Sequence, residues 1–194
     1  MKDDYVNYVN KFEPLWKEWT VDSLIGKGGF GSVYKISRTE SGKKIYAALK
    51  HVHIEQSDFY SSEIKRSIEE EISLLCRFKD NPNIVSIDDY SIIEDTSTQS
   101  ADVFIRMELL TPLYTYIASH GFSERDVLKL GIDITSALVS LHNESVLHRD
   151  INPSNIFVNN ANQFKLGDFG TSLDFSETQT RLVVGTLSYM APEF

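Results

Sequence analysis

Three oxygen-bearing side chains stand in an order suited to holding a metal-bound phosphate. The stretch Val146-Leu-His-Arg-Asp-Ile-Asn-Pro-Ser-Asn-Ile-Phe157 puts Asp150 and Asn155 in one loop. After a polar turn, Lys165-Leu-Gly-Asp-Phe-Gly170 returns a second carboxylate, Asp168, at the end of the next apolar strand. Phosphoryl transfer asks little covalent chemistry of a protein, but it needs a carboxylate beside the attacking hydroxyl and hard oxygen ligands for Mg²⁺. Asp150, Asn155 and Asp168 carry the right atoms for both tasks. An Asp-Phe-Gly tripeptide alone is equally a plain hairpin corner, so the weight rests on the order and spacing of the two stretches.

That order resembles the eukaryotic-type, or Hanks-type, serine/threonine protein kinases. His148-Arg-Asp-Ile-Asn-Pro-Ser-Asn155 is similar to their catalytic loop and Asp168-Phe-Gly170 to their metal-binding loop. The resemblance implies that Asp150 accepts or orients a substrate hydroxyl and that Asn155 and Asp168 hold Mg²⁺ or Mn²⁺. It also implies a structural His148, packed on Phe169 in a column with Leu75 and Ile87.

The elements upstream must position the phosphates. A strand-like pattern from Trp19 runs into Gly26-Lys-Gly-Gly-Phe-Gly-Ser-Val33 and then a second strand, Tyr34-Lys-Ile-Ser. A glycine triplet opening a helix would suggest a dinucleotide fold. Here a strand follows, and Val33 completes the G-x-G-x-x-G-x-V form that covers ATP phosphates in kinases. Glycine permits close backbone approach, while Phe30 at the tip would shield the site from water. On the next strand Lys50, in Ala47-Ala-Leu-Lys50, resembles the lysine that contacts the α- and β-phosphates. His51 and His53 alternate along that strand, but no further Cys or His cluster completes a metal site, so they read as surface residues.

Residues 57–79 read as a helix, with Ile64, Ile68, Ile72, Leu75 and Phe78 at three- and four-residue steps. Glu71 looks like the regulatory-helix glutamate that pairs with Lys50, with Glu70 as the alternative in register. Two strands follow, Ile84–Tyr90 and Val103–Leu109, around a polar loop over 94–102. The second resembles the strand and hinge that meet the adenine, with Met107 behind it and the backbone of Glu108 and Leu110 at its edge. The resemblance thus implies an ATP site formed by Gly26, Lys27, Gly28, Gly29, Phe30, Gly31, Val33, Ala48, Lys50, Met107, Glu108, Leu110 and Phe157.

A short helix is expected after Thr111-Pro112. Ser123, with Asp126 in the first turn, opens a long helix whose Val127, Leu130, Ile134, Leu138 and Leu141 share a face. Residues 171–190 read as the activation segment, closed by Gly185-Thr-Leu-Ser-Tyr-Met-Ala-Pro-Glu193. Thr178 and Thr180 resemble the autophosphorylated positions of bacterial Hanks-type kinases, and Arg149 offers a guanidinium fork to such a phosphate.

The totals set limits. The chain has 194 residues, 41% hydrophobic and 24% charged, the composition of a globular protein rather than a disordered or fibrous one. A net charge of -9 argues against nucleic-acid binding and against an anionic membrane surface. No apolar run approaches the ~18 residues of a membrane span. The single cysteine, Cys76, fits a reducing compartment and reads as a buried helix residue, and a cytoplasmic location is expected.

The expected architecture is α+β: a lead-in over 1–18, a five-stranded antiparallel N-lobe with a regulatory helix over 19–107, and a partial, mainly helical C-lobe over 108–194. Two departures stand out. Serine/threonine kinases place a γ-phosphate-contacting lysine where this chain has Asn152, and loss of such a stabiliser costs about 10²-fold or more in rate. The sequence also stops just after Ala191-Pro-Glu193, so a partner or a missing C-terminal portion is expected to cover the C-lobe, and the chain alone is expected to be weakly stable. The expected function is ATP-dependent phosphorylation of Ser or Thr hydroxyls on a protein substrate, with Asp150, Asn152, Lys50 and Glu71 as the catalytic set. The alternatives are a nucleotide-binding pseudokinase and an interaction fragment that binds no nucleotide.

Overall fold

A computed structural model describes residues 9, 16–28, 31–55, 61–98, 100–170, 172–174 and 185–190. The chain divides into two compact units, one of Met1–Arg66 with Ile87–Leu109 and the other of Ser67–Ser86 with Leu110–Phe194. The helix Ser61–Arg77 therefore contributes to both units.

The first unit is an antiparallel sheet of β1 (Thr20–Gly28), β2 (Gly31–Glu40), β3 (Lys43–Glu55), β4 (Ile87–Asp95) and β5 (Ser100–Glu108). Its strand order is β1-β2-β3-β5-β4. Residues paired across an antiparallel ladder share a face, so register decides what meets what. One face carries the rows Val33, Lys50, Ile105 and Lys35, Ala48, Met107, Ile87. The other packs Tyr34, Ile36, Ala47, Leu49 and Phe104 around Val9, with Trp16, Trp19, Val21, Leu24 and Ile93 at its margin. Trp16 is tied down twice, by its indole N–H to Asp89 at 2.7 Å and by Arg106, whose guanidinium lies 4.9 Å from the ring centroid. The other lead-in aromatics, Tyr5, Tyr8 and Phe12, lie outside the described residues.

Three expectations change here. His51 is buried, not a surface residue: its ring stacks on Phe104 and its Nε2 lies 2.6 Å from Asp102 Oδ1. His53 Nδ1 shares the same oxygen at 2.9 Å. Burial holds the His51 imidazole below its ordinary pKa, against the opposing pull of Asp102. β4 starts at Ile87 rather than Ile84, because Ile84 makes a parallel bridge to Leu166 in the second unit. Cys76 is exposed, not buried.

The second unit takes the Ser67–Arg77 part of α1 (Ser61–Arg77), followed by β6 (Thr111–Pro112), α2 (Leu113–His120), α3 (Glu124–Asn143), β7 (Val146–Leu147), β8 (Ile156–Val158), β9 (Phe164–Leu166) and β10 (Leu173–Asp174). Ser123 caps α3 with a full capping box, its hydroxyl accepting Asp126 N–H while the Asp126 carboxylate takes Ser123 N–H. The buried face of α3 holds Asp133, Ile134, Ala137 and Leu141. Val127, expected on that face, is instead 53% exposed, because the face rotates to bring Asp133 inward. Asp133 accepts the Phe164 N–H at 2.9 Å and an ion pair from Lys129 at 2.7 Å. Asn83 donates to the Phe164 carbonyl at 3.1 Å, so side chains from two segments clamp the start of β9.

Candidate functional site

In the first unit the expected nucleotide residues follow from sheet register. Gly28 pairs with Gly31 at the hairpin end, Gly26 with Val33, Val33 with Lys50, and Ala48 with Met107. Glu108 pairs with Ala47 and therefore belongs to the opposite row. Lys27 is exposed at the hairpin end, and Gly29 and Phe30 lie outside the described residues. Gly31 has φ of 134°, and a Cβ there would collide with the His51 carbonyl, so no other residue fits without moving the next strand.

The second unit gathers the catalytic-loop residues. His148 is buried and T-shaped against Phe169, with ring centroids 5.0 Å apart. Its Nε2–H donates to the Gly167 carbonyl at 3.0 Å and its Nδ1 accepts the Asp150 N–H at 3.3 Å. One imidazole thus joins the Asp150 loop to the residue before Asp168. Burial lowers its pKa, against the Gly167 carbonyl, Asp168 and Asp150, which favours the neutral tautomer this pattern needs.

Arg149 and Asp168 have φ of 64° and 62°, in the left-handed region where non-glycine residues are strained. That turn exposes the Asp168 carboxylate, whose Oδ1 accepts a long bond of 3.4 Å from Gly170 N–H. The Gly167 N–H bonds the Asn155 carbonyl at 2.9 Å, which sets the two loops edge to edge. Asn155 donates Nδ2–H to the Asp150 carbonyl and to Asp150 Oδ2, both at 2.9 Å, leaving its amide oxygen as an acceptor. That oxygen and the Asp168 carboxylate are the hard donors expected of a Mg²⁺ site completed by water and phosphate. No cluster of three or more His, Cys, Asp or Glu able to hold a metal occurs among the described residues.

Glu71 is buried while Glu69 and Glu70 are exposed, and its Oε2 lies beside Gly170, 3.8 Å from where a Cβ would stand. Phe157 packs under Gly167, where a Cβ would come within 3.0 Å of its ring. Half-buried Leu110 precedes β6, whose Pro112 pairs with Phe157.

Sequence reasoning missed Thr186. Its N–H and Oγ1–H both donate to Asp150 Oδ1, at 2.8 and 2.7 Å. Partial burial works to raise the Asp150 carboxyl, but the bonds its oxygens accept from Thr186 and Asn155 prevail and hold it below its ordinary value. Asn152 is buried, accepts Ser154 N–H at 2.8 Å and donates to Thr186 Oγ1 at 3.3 Å. Thr178 and Thr180 lie outside the described residues.

The protein kinase domain model matches residues 19–194, and the chain belongs to the protein kinase family. It is 34% identical over 185 residues to mitogen-activated protein kinase kinase kinase 5 of Arabidopsis thaliana, covering 93% of this chain and 25% of that protein. It is 30% identical over 179 residues to Aurora/IPL1-related protein kinase 2 of Caenorhabditis elegans, covering 91% and 55%. It is 33% identical over 175 residues to cyclin-dependent kinase 4 of Xenopus laevis, covering 87% and 53%. The chain thus spans from a quarter to just over half the length of these relatives.

Proposed function

We propose that this chain carries an ATP-dependent serine/threonine protein kinase activity. The observation that carries the reading is the Asp150 carboxylate, ionised by its donors and aimed by Thr186 and Asn155 rather than left to rotate in solvent. Asp150 orients the acceptor hydroxyl. The hydroxyl oxygen bonds to the γ-phosphorus as the bond from that phosphorus to the ADP oxygen breaks, and the hydroxyl proton passes to Asp150 and on to water. Asn155 and Asp168 hold Mg²⁺, which supplies charge neutralisation on the phosphates when bound. Lys50 serves the α- and β-phosphates, and Gly26, Gly28 and Gly31 let the backbone cover them. The resemblance of the catalytic loop to serine/threonine kinases supports Ser and Thr as acceptors, and Thr178 and Thr180 are the proposed sites of self-phosphorylation.

A second reading, a nucleotide-binding pseudokinase, is favoured by one observation: the Asn152 side chain is buried among protein partners and brings no charge to a phosphate. Incubation with γ-labelled ATP and Mg²⁺, beside Asp168→Ala, separates the two. The kinase reading expects label on Ser or Thr that the variant loses. ATP-dependent thermal stabilisation without label supports the pseudokinase, and neither signal overturns both.

A further inference from the structure

Asn152 stands where the family pattern leads one to expect a phosphate-facing cation, and every polar atom of its side chain has a protein partner. It is 6% exposed. Its Oδ1 accepts Ser154 N–H at 2.8 Å, capping the 3-10 turn Pro153–Asn155. Its Nδ2 donates to the Asp150 carbonyl at 3.3 Å and to Thr186 Oγ1 at 3.3 Å. A primary amide has two N–H donors, so this pair uses both. Thr186 passes the connection on, giving N–H and Oγ1–H to Asp150 Oδ1. A directed relay results: Asn152 donates to the Thr186 oxygen, and the same hydroxyl donates to the carboxylate.

An independent feature holds the relay shut. Gly185 has φ of 126°, and a Cβ there would stand 2.5 Å from the Arg149 carbonyl oxygen. The backbone entering Thr186 therefore presses directly on the loop that carries Asp150. Any larger residue at 185 would lift Thr186 off its acceptor.

We propose that Asn152 is a positioning residue for the hydroxyl-bearing substrate: it braces Thr186 against Asp150 and makes no contact with ATP. The inference rests on the kinase reading for its functional meaning, but the brace itself is a property of the fold. A carboxylate can turn about its Cβ–Cγ bond, and a misplaced base lowers transfer without affecting a nucleotide held by other residues. Asn152 in this chain thus acts on the acceptor side of the reaction, and the loss of cationic charge is not made good by its amide.

The test uses the intact 194-residue chain and two readouts. Asn152→Asp keeps the Oδ1 acceptor for Ser154 but removes the donor to Thr186. Thr186→Val removes the relay hydroxyl, and Thr186→Ser restores it. Amide hydrogen exchange at residue 186, followed by NMR without nucleotide, is expected to quicken about fivefold or more in Asn152→Asp and Thr186→Val and to stay protected in Thr186→Ser. The Phe164 amide, held by Asp133, serves as the internal control for global unfolding. Titration with Mg²⁺ and ATP should give Kd values within about twofold of wild type for all three. Where transfer is measured, Asn152→Asp and Thr186→Val should lower kcat or raise the peptide KM, and the double variant should lose little more than either single one. Unchanged exchange at residue 186 in Asn152→Asp overturns the brace. A Kd for ATP weakened about tenfold in that variant overturns the claim that Asn152 leaves the nucleotide alone. Should the wild-type chain transfer no phosphate, the kinase reading fails, while the exchange experiment still decides the brace.

Discussion

The two units place their chemical groups by different means. In the first, Lys50, Ala48, Val33 and Met107 reach one face because an antiparallel ladder puts them there, and the backbone pairs that do so are indifferent to most side chains. In the second, Asp150 and Asp168 sit on loops with left-handed residues at 149 and 168, held by individual bonds from His148, Asn152, Asn155 and Thr186. The ladder gives robustness and coarse placement. The loops give a carboxylate a definite direction, at the cost of depending on single side chains.

If that contrast holds, the largest effects belong to the loops. Asp168→Ala and Asp150→Asn should each lower phosphate transfer by at least about 10²-fold while leaving the melting temperature nearly unchanged. Next comes Asp133→Ala, which strands the buried Phe164 N–H. Its expected cost is about 2–3 kcal/mol in denaturant unfolding, larger than a core-neutral change at an exposed position of α3 such as Val127→Ser, expected within about 0.5 kcal/mol. Gly31→Ala is the place where the ladder should prove as fragile as the loops: the new Cβ meets the His51 carbonyl, and about 2 kcal/mol or more of destabilisation is expected. An unaffected melt would show that the hairpin end yields, and would weaken the contrast from the other side.

Acid should reveal a feature the units share. His51 and His148 both have pKa values lowered by burial, opposed by Asp102 in the first case and by the Gly167 carbonyl, Asp168 and Asp150 in the second. The unfolded histidines titrate near their ordinary value, about 6.5, and so bind protons before the folded ones do. The stability from this source is complete above that value and declines as pH falls toward the lowered folded values. Melting temperature should therefore drop between pH 7 and 5. His51→Phe should flatten part of that slope, and an unchanged slope would remove His51 from the account. The smallest predicted effect is Ser123→Ala, about 1 kcal/mol from the lost cap of α3, read by thermal unfolding.

Much of this was legible in the residues. Strand alternation, the Gly26–Gly31 spacing and the Ser123/Asp126 box are local signals, and they locate β1 to β3 and the start of α3. Glu71 could not be separated from Glu70 by pattern; burial of the one and exposure of the other distinguishes them. The Thr186–Asp150 bond joins residues too far apart for any periodic signal. His51 looked like a surface residue because its partner, Asp102, lies two strands on in sequence, and a buried polar residue is recognisable only beside the group that satisfies it. Val127 misled because apolar spacing fixes the period of a helix but not its rotation, and a paired aspartate took the inward position.

Phe164 has its amide hydrogen taken by a helix carboxylate and its carbonyl by an asparagine amide from another segment. The strand it begins consequently has a fixed post at its upstream end, only four residues before Asp168. Displacement of Asp168 and Phe169 is then expected to proceed by rotation about the Leu166–Gly167 backbone rather than by sliding of the whole strand, so the Asp168 carboxylate swings on a short tether of set length.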